Sequence, residues 1–301
     1  MKQLSLLMSI LAVLGLTACE KPFFEEDHST ASSSAANVIL HISQFEQLPF
    51  IVDGGSATAP ATRATTDITD LCTRLNIALF QDGNKVKTIA QKKEDTSFGT
   101  VALTLPAGIY QLVVIAHNGE GSATITSEEK VTFPNNKVTD TFYYYGDLVV
   151  SDSQQSYDLT LTRAVAMFRI VLTDEEMPAN VAKFKFYYVG GSSTFSPSSG
   201  YGCVNSKQTE IRAVADGVTA FDIYTLPHTE DDVLTRLTVT ALDANDNTVK
   251  ERTFENVPVT RNQITRYTGS FFGSGGSGQQ SDGTFRLTAD PDWDSVNGYT
   301  F

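Results

Sequence analysis

The sequence is short of the residues that usually carry chemistry. Its 301 residues include three cysteines, four histidines and one tryptophan. Beyond Cys19, the cysteines Cys72 and Cys203 lie far apart. A disulfide framework is therefore not expected to hold the chain together, and both read as small buried apolar residues. His28, His41, His117 and His228 stand singly, without the spacing of metal ligands, and so read as surface or turn residues. No His-Glu-x-x-His, Gly-x-Ser-x-Gly or phosphate-cradling glycine loop is present. Asp243-x-Asn245-x-Asn247 opens like a calcium loop. However, Thr248 stands where glycine is needed and Phe254 where glutamate is needed, so a hairpin turn is expected instead. The chain reads as a non-enzyme, with no catalytic, cofactor-binding or metal residues.

Basic charge is also scarce, with 22 Lys+Arg against 35 Asp+Glu and a net charge of −13. That balance argues against binding nucleic acid or anionic lipid. Long apolar runs are absent save one. Leu4 to Leu16, behind Lys2, would span about 20 Å as a helix, short of the ~30 Å hydrocarbon core. The run therefore reads as the apolar region of a signal peptide over residues 1–18. It closes on Leu16-Thr17-Ala18-Cys19, which resembles the bacterial lipobox. That resemblance implies cleavage before Cys19 and acylation, palmitate included, of Cys19 itself. Three chains at ~0.8 kcal/mol per buried CH₂ would anchor the protein in an outer membrane almost irreversibly. Removal of residues 1–18 leaves 21 basic against 35 acidic residues, a net charge of −14. Residues 19–36 are polar and read as a flexible tether. Their acidic run Glu25-Glu26-Asp27 resembles the export signal of Bacteroidetes surface lipoproteins, which implies display on the cell exterior.

What the sequence does have is period-two alternation rich in Val, Ile, Thr, Phe and Tyr, the pattern of half-buried strands. Such segments are Val38–Phe45, Leu75–Phe80, Lys85–Ala90, Val101–Leu105, Tyr110–His117, Val138–Tyr144, Tyr157–Arg163, Val165–Leu172, Val181–Val189, Ala220–Leu226, Leu234–Leu242, Val249–Phe254 and Ile264–Phe272. Asp82-Gly83-Asn84 and Asp243–Asn247 are among the turns between them. No window of 12 or more residues holds a helical period. Leu103-Thr104-Leu105-Pro106 and Tyr224-Thr225-Leu226-Pro227 each lead from one apolar segment into another, a weak internal repeat. The expectation is an all-β chain of two β-sandwiches, residues 37–152 and 153–272, parted at the polar Ser151–Ser156.

Residues 273–301 begin with the glycine-rich Gly273–Gly283, a flexible linker. Beyond it Phe285, Leu287 and Ala289 alternate with polar residues, and Trp293 follows. This reads as one amphipathic strand, either folded back onto its own domain or offered to the sheet edge of another subunit. Phe142–Tyr145 and Phe184–Tyr188 are aromatic runs; the first reading for both is sheet and core, with a sugar-stacking glycan site as the alternative.

Leu75–Gly83, Leu103–Tyr110 and Asp158–Ala166, together with the lipobox, resemble the FimB-type fimbrial anchor lipoproteins of Bacteroidetes. The resemblance implies two transthyretin-like, Greek-key β-sandwiches in tandem. It also implies a lipid-anchored anchor or accessory subunit of a surface fimbria, acting in pilus assembly and cell adhesion, with other fimbrial subunits as partners through β-strand addition. A second role within the family is a stalk fimbrillin cut after an arginine, and Thr62-Arg63-Ala64 stands where such a cut would fall. A glycan-binding surface lipoprotein is the alternative from a different class.

Overall fold

The structure, a computed structural model, describes residues 36–45 and 67–273 in full and residues 295–300 by their backbone. The described residues fall in one compact unit, Ala35–Phe301, and their regular secondary structure is almost entirely strand. The first half holds β1 (Val38–Phe45), β2 (Arg74–Gln81), β3 (Asn84–Lys92), β4 (Thr100–Leu103), β5 (Gly108–His117), β6 (Thr124–Ser127), β7 (Lys130–Thr132), β8 (Thr141–Val150) and β9 (Gln155–Arg163). The second holds β10 (Ala166–Leu172), β11 (Lys183–Val189), β12 (Thr194–Ser196), β13 (Tyr201–Gly202), β14 (Lys207–Ala213), β15 (Ala220–Thr225), β16 (Asp232–Leu242), β17 (Thr248–Val259), β18 (Gln263–Gly269) and β19 (Ser295–Thr300). A single helical turn, α1 (Ile68–Leu71), is capped by the Asp67 carboxylate, which accepts from the Thr69 amide.

Alternation decides what each strand buries. In β11, Phe184, Phe186 and Tyr188 point inward while Lys183, Lys185, Tyr187 and Val189 take the other face. The hairpin between β2 and β3 turns on Asp82 and Gly83, at φ 51° and 74°, the left-handed pair that matches strand twist. Asp243–Asn247 is the turn joining β16 to β17. The Asp243 carboxylate accepts from the amides of Asn245 and Asn247 at 2.8 Å each, so it is engaged in holding the turn.

The two halves repeat one pairing scheme. β1 runs antiparallel to β4 and parallel to β9; β10 runs antiparallel to β15 and parallel to β18. The antiparallel order β3-β2-β5-β8 recurs as β14-β11-β16-β17. This is the duplication at which the paired Thr-Leu-Pro segments hint. In the first half the two sets join into one seven-stranded sheet, β3-β2-β5-β8-β9-β1-β4. The joint rests on two register pairs, Phe142↔Arg163 and Tyr143↔Thr162, and the arms on either side share one core that includes Leu40, Ile42, Ile77, Val114 and Leu161. In the second half the sheets β15-β10-β18-β19 and β14-β11-β16-β17 enclose a separate core around Phe168, Phe184, Phe186 and Val239.

A third core couples the halves. Phe80, Val113 and Ile115, on the outward face of the first half, pack with Met167, Phe195 and Ile264 of the second. The hairpin β6–β7, inserted between β5 and β8, pairs with β12–β13, inserted between β11 and β14, in the small sheet β13-β12-β7-β6. Arg163 lies at this junction with a fully buried side chain. Its Nε and Nη2 donate to the Asp140 carboxylate at 2.8 and 3.1 Å, and Nη1 donates to Asn262 Oδ1 at 2.9 Å. Its guanidinium also lies over the Phe142 ring, 4.7 Å from the centroid.

Several sequence expectations are corrected. Ser151–Ser156 is not where the sheets part: Ser151–Gln154 turns between β8 and β9, and β9 pairs with β1. The pairing scheme passes to its second copy at Ala164-Val165. Cys203 is exposed rather than buried, and only Cys72 is a core residue; burial pushes the Cys72 thiol well above its usual range. His117 is no surface residue but lies 1% exposed at the end of β5.

Candidate functional site

The two copies of the scheme differ most at the strand parallel to their first. In the first half, β8 joins the far edge of β9 through the two register pairs Phe142↔Arg163 and Tyr143↔Thr162. The Tyr157 hydroxyl and Gln155 Nε2 add donations to the Val149 carbonyl across that seam. In the second half, β18 has no register pairing with β17 among the described residues. Its far edge is covered instead by β19, parallel and in register from Gln263↔Ser295 to Thr268↔Thr300. A parallel neighbour needs a crossover of a dozen or more residues, and residues 270–294 supply 25.

The point where this crossover leaves the body is clamped. The Asp174 carboxylate accepts from the Ser270 hydroxyl at 2.6 Å and from the amides of Phe271 and Phe272 at 2.6 and 2.9 Å. Burial alone would raise that carboxyl, but the three hydrogen bonds outweigh it and hold Asp174 below the ordinary carboxylate range. From the other side, Arg252 donates to the carbonyls of Phe271 and Ser270 at 3.0 and 2.9 Å. Phe271 is fully buried, edge-on to Phe184 at 5.3 Å. An aromatic anchor, a carboxylate and a guanidinium therefore fix the start of the linker just beyond β18.

The sequence-predicted site residues fall unevenly on this frame. Cys19, Arg63, Phe285, Leu287, Ala289 and Trp293, with His28, lie outside the described residues. The described tail strand is β19, further along than the Phe285–Ala289 alternation. β1, which ends before the segment carrying Arg63, lies between β9 and β4 with Val38, Leu40 and Ile42 fully buried. Phe142 and Tyr144 belong to the first core. Tyr143 packs edge-on to Phe195 at 4.8 Å, and the Tyr145 hydroxyl donates to Glu128 at 2.8 Å. Tyr143 and Tyr144 are thus part of the packing rather than a sugar platform. The sequence reading missed Asp174 and Arg252, whose isolated positions carried no pattern. No helix among the described residues is long and apolar enough to cross a membrane.

A family model described as "Family of unknown function (DUF6562)" matches residues 46–297. The chain belongs to this family. No curated protein matches this DUF6562 chain. Among solved structures, it is similar to a candidate adhesin from Bacteroides ovatus, at 12% identity and TM-score 0.49, with 88% of each chain covered. A candidate polysaccharide-binding protein from Bacteroides thetaiotaomicron gives 11% identity and TM-score 0.48, over 88% of this chain and 90% of that one. A fimbrial assembly protein from Parabacteroides distasonis gives 12% identity and TM-score 0.39, over 77% of this chain and 89% of that one.

Proposed function

We propose that this DUF6562 protein is a non-enzymatic, lipid-anchored structural subunit, anchor or accessory, of a surface fimbria, and that it joins other subunits by β-strand addition. The observation that carries the reading is the β18 edge, covered by a strand on a long tether whose exit is clamped by Asp174 and Arg252. An edge so covered offers a row of backbone donors and acceptors to a strand from the same chain or from a neighbour. Each backbone hydrogen bond contributes ~0.5–1.5 kcal/mol net, so a six-residue strand holds durably. The lipobox ending at Cys19 supports an outer-membrane anchor facing the cell exterior. The repeated pairing scheme supports tandem transthyretin-like sandwiches, and the FimB-type resemblance supports the fimbrial setting.

The test is recovery of surface complexes from cells carrying the full chain or one truncated after Phe272. Loss of co-purifying subunits, with the melting temperature of the monomer kept, supports the reading. A truncated monomer that melts much lower, with no partner recovered from either form, overturns it. A second reading, a stalk subunit cut after Arg63, draws on the place of β1 inside its sheet. Its removal would open a slot between β9 and β4 that a neighbour's strand could fill. The N-terminus of the assembled protein separates the two: a free Ala64 read by sequencing supports the stalk, and a blocked terminus with a lipid-modified Cys19 peptide in mass spectrometry supports the anchor.

A further inference from the structure

The repeated scheme gives the chain two equivalent outward faces with opposite fates. In the first half, the row Thr88, Ala78, Val113 and Tyr145 crosses β3, β2, β5 and β8. Ala78 and Val113 are fully buried in the core that couples the halves. The same row in the second half reads Thr209, Tyr187, Thr238 and Thr253, across β14, β11, β16 and β17. There Tyr187 belongs to none of the three cores, although its chain neighbours Phe186 and Tyr188 are 0% and 2% exposed. Its ring and hydroxyl make no ring contact or side-chain hydrogen bond among the described residues. A half-buried aromatic at mid-sheet, flanked by hydroxyls and without an aromatic partner, leaves part of its ring to solvent.

The face carries charge of both signs, Lys183, Lys185, Lys207 and Arg236 against Glu251 and Glu255, with Lys183 paired to Asp246 at 2.6 Å. Lys185, two residues from Tyr187 on β11, and Lys207, two residues from Thr209 on β14, share the outward side. Neither has an ion-pair partner among the described residues. Arg236 joins them across β16, only loosely paired with Glu255 at 3.8 Å. In a chain of net charge −13, two unpaired lysines on either side of the partly exposed Tyr187 ring favour an anionic partner with a flat face.

We propose that the outward face of β14-β11-β16-β17 binds acidic saccharides. One sugar ring stacks on Tyr187, its hydroxyls meet Thr209 and Thr238, and its carboxylate reaches Lys185 or Lys207. This site is on the sheet opposite the one that carries β18 and β19, and it does not depend on the subunit reading. Titration calorimetry of the full chain with polygalacturonate, with dextran as the neutral control, tests it. Polygalacturonate should bind and dextran should not. Tyr187→Ala should weaken binding about tenfold, and a Lys185→Ala/Lys207→Ala variant should lose it, both read in variants that keep a cooperative melting transition. Absence of polygalacturonate binding, or binding unchanged in the folded variants, overturns the proposal. So does poly-glutamate binding as tightly as polygalacturonate with no loss in Tyr187→Ala, which would mark an acidic-peptide surface.

Discussion

At the scale of single residues, two buried polar groups matter most. His117 is 1% exposed, its Nδ1 accepts from the Gly119 amide at 3.1 Å, and its Nε2 has no partner. Burial, reinforced by the nearby Arg74, lowers its pKa to about 4 from the usual 6.5. The folded state therefore refuses a proton that the unfolded chain accepts between those values. Stability is accordingly full above pH 6.5 and declines as the pH falls toward 4, by on the order of 3 kcal/mol from this residue. Urea unfolding at a series of pH values should show that decline, and His117→Gln should flatten it. Arg163 is the second case. Arg163→Met would leave Asp140 and Asn262 facing an apolar stub and should cost about 3 kcal/mol, read as a lowered urea midpoint. Neither effect could be foreseen from sequence, because Arg163 meets Asp140 and Asn262 only through the fold.

At the scale of elements, turn geometry separates two glycines. Gly83 sits at φ 74° with open space around it, so Gly83→Ala should cost only about 1 kcal/mol of backbone strain. Gly191 sits at φ 67°, where an added Cβ would lie 2.2 Å from Thr225 Oγ1. Gly191→Ala should therefore lower the thermal midpoint severalfold more than Gly83→Ala. Strands with alternating apolar residues were legible in the sequence: β1 falls on the expected Val38–Phe45, and β2, β5, β10 and β16 within two residues of expectation. β14 was not, because its inward positions hold Gln208 and Glu210, a polar pair buried beside the edge. Glu210 is partnered there by Arg212 at 2.8 Å. β12 and β13 were hidden by serine and glycine, whose backbone pairs without an apolar pattern. β8 begins at Thr141 rather than Val138, since Val138 is buried by the third core and not by a ladder. Of the candidate edge, the glycine-rich linker was legible; the clamp of Asp174 and Arg252 was a matter of tertiary placement.

At the scale of the whole molecule, the third core and the shared sheet β13-β12-β7-β6 make each half part of the other's surface. The halves should therefore unfold together. Tryptophan-independent probes, such as far-ultraviolet dichroism and tyrosine fluorescence, should give coincident urea transitions. Phe195→Ala, which opens the coupling core, should pull the transitions apart as well as cost about 3 kcal/mol. The same architecture has a mechanical side. β1 is held by β9 alongside it over seven register pairs and by β4 over four. A load drawn through Asn37 along the axis of β1 meets all of those pairs in shear, where they must slide together instead of peeling off one by one. The strand nearest the expected membrane anchor is thus oriented to bear tension, and resistance to a steady pull becomes a rate of rupture set by the whole ladder rather than by its weakest bond.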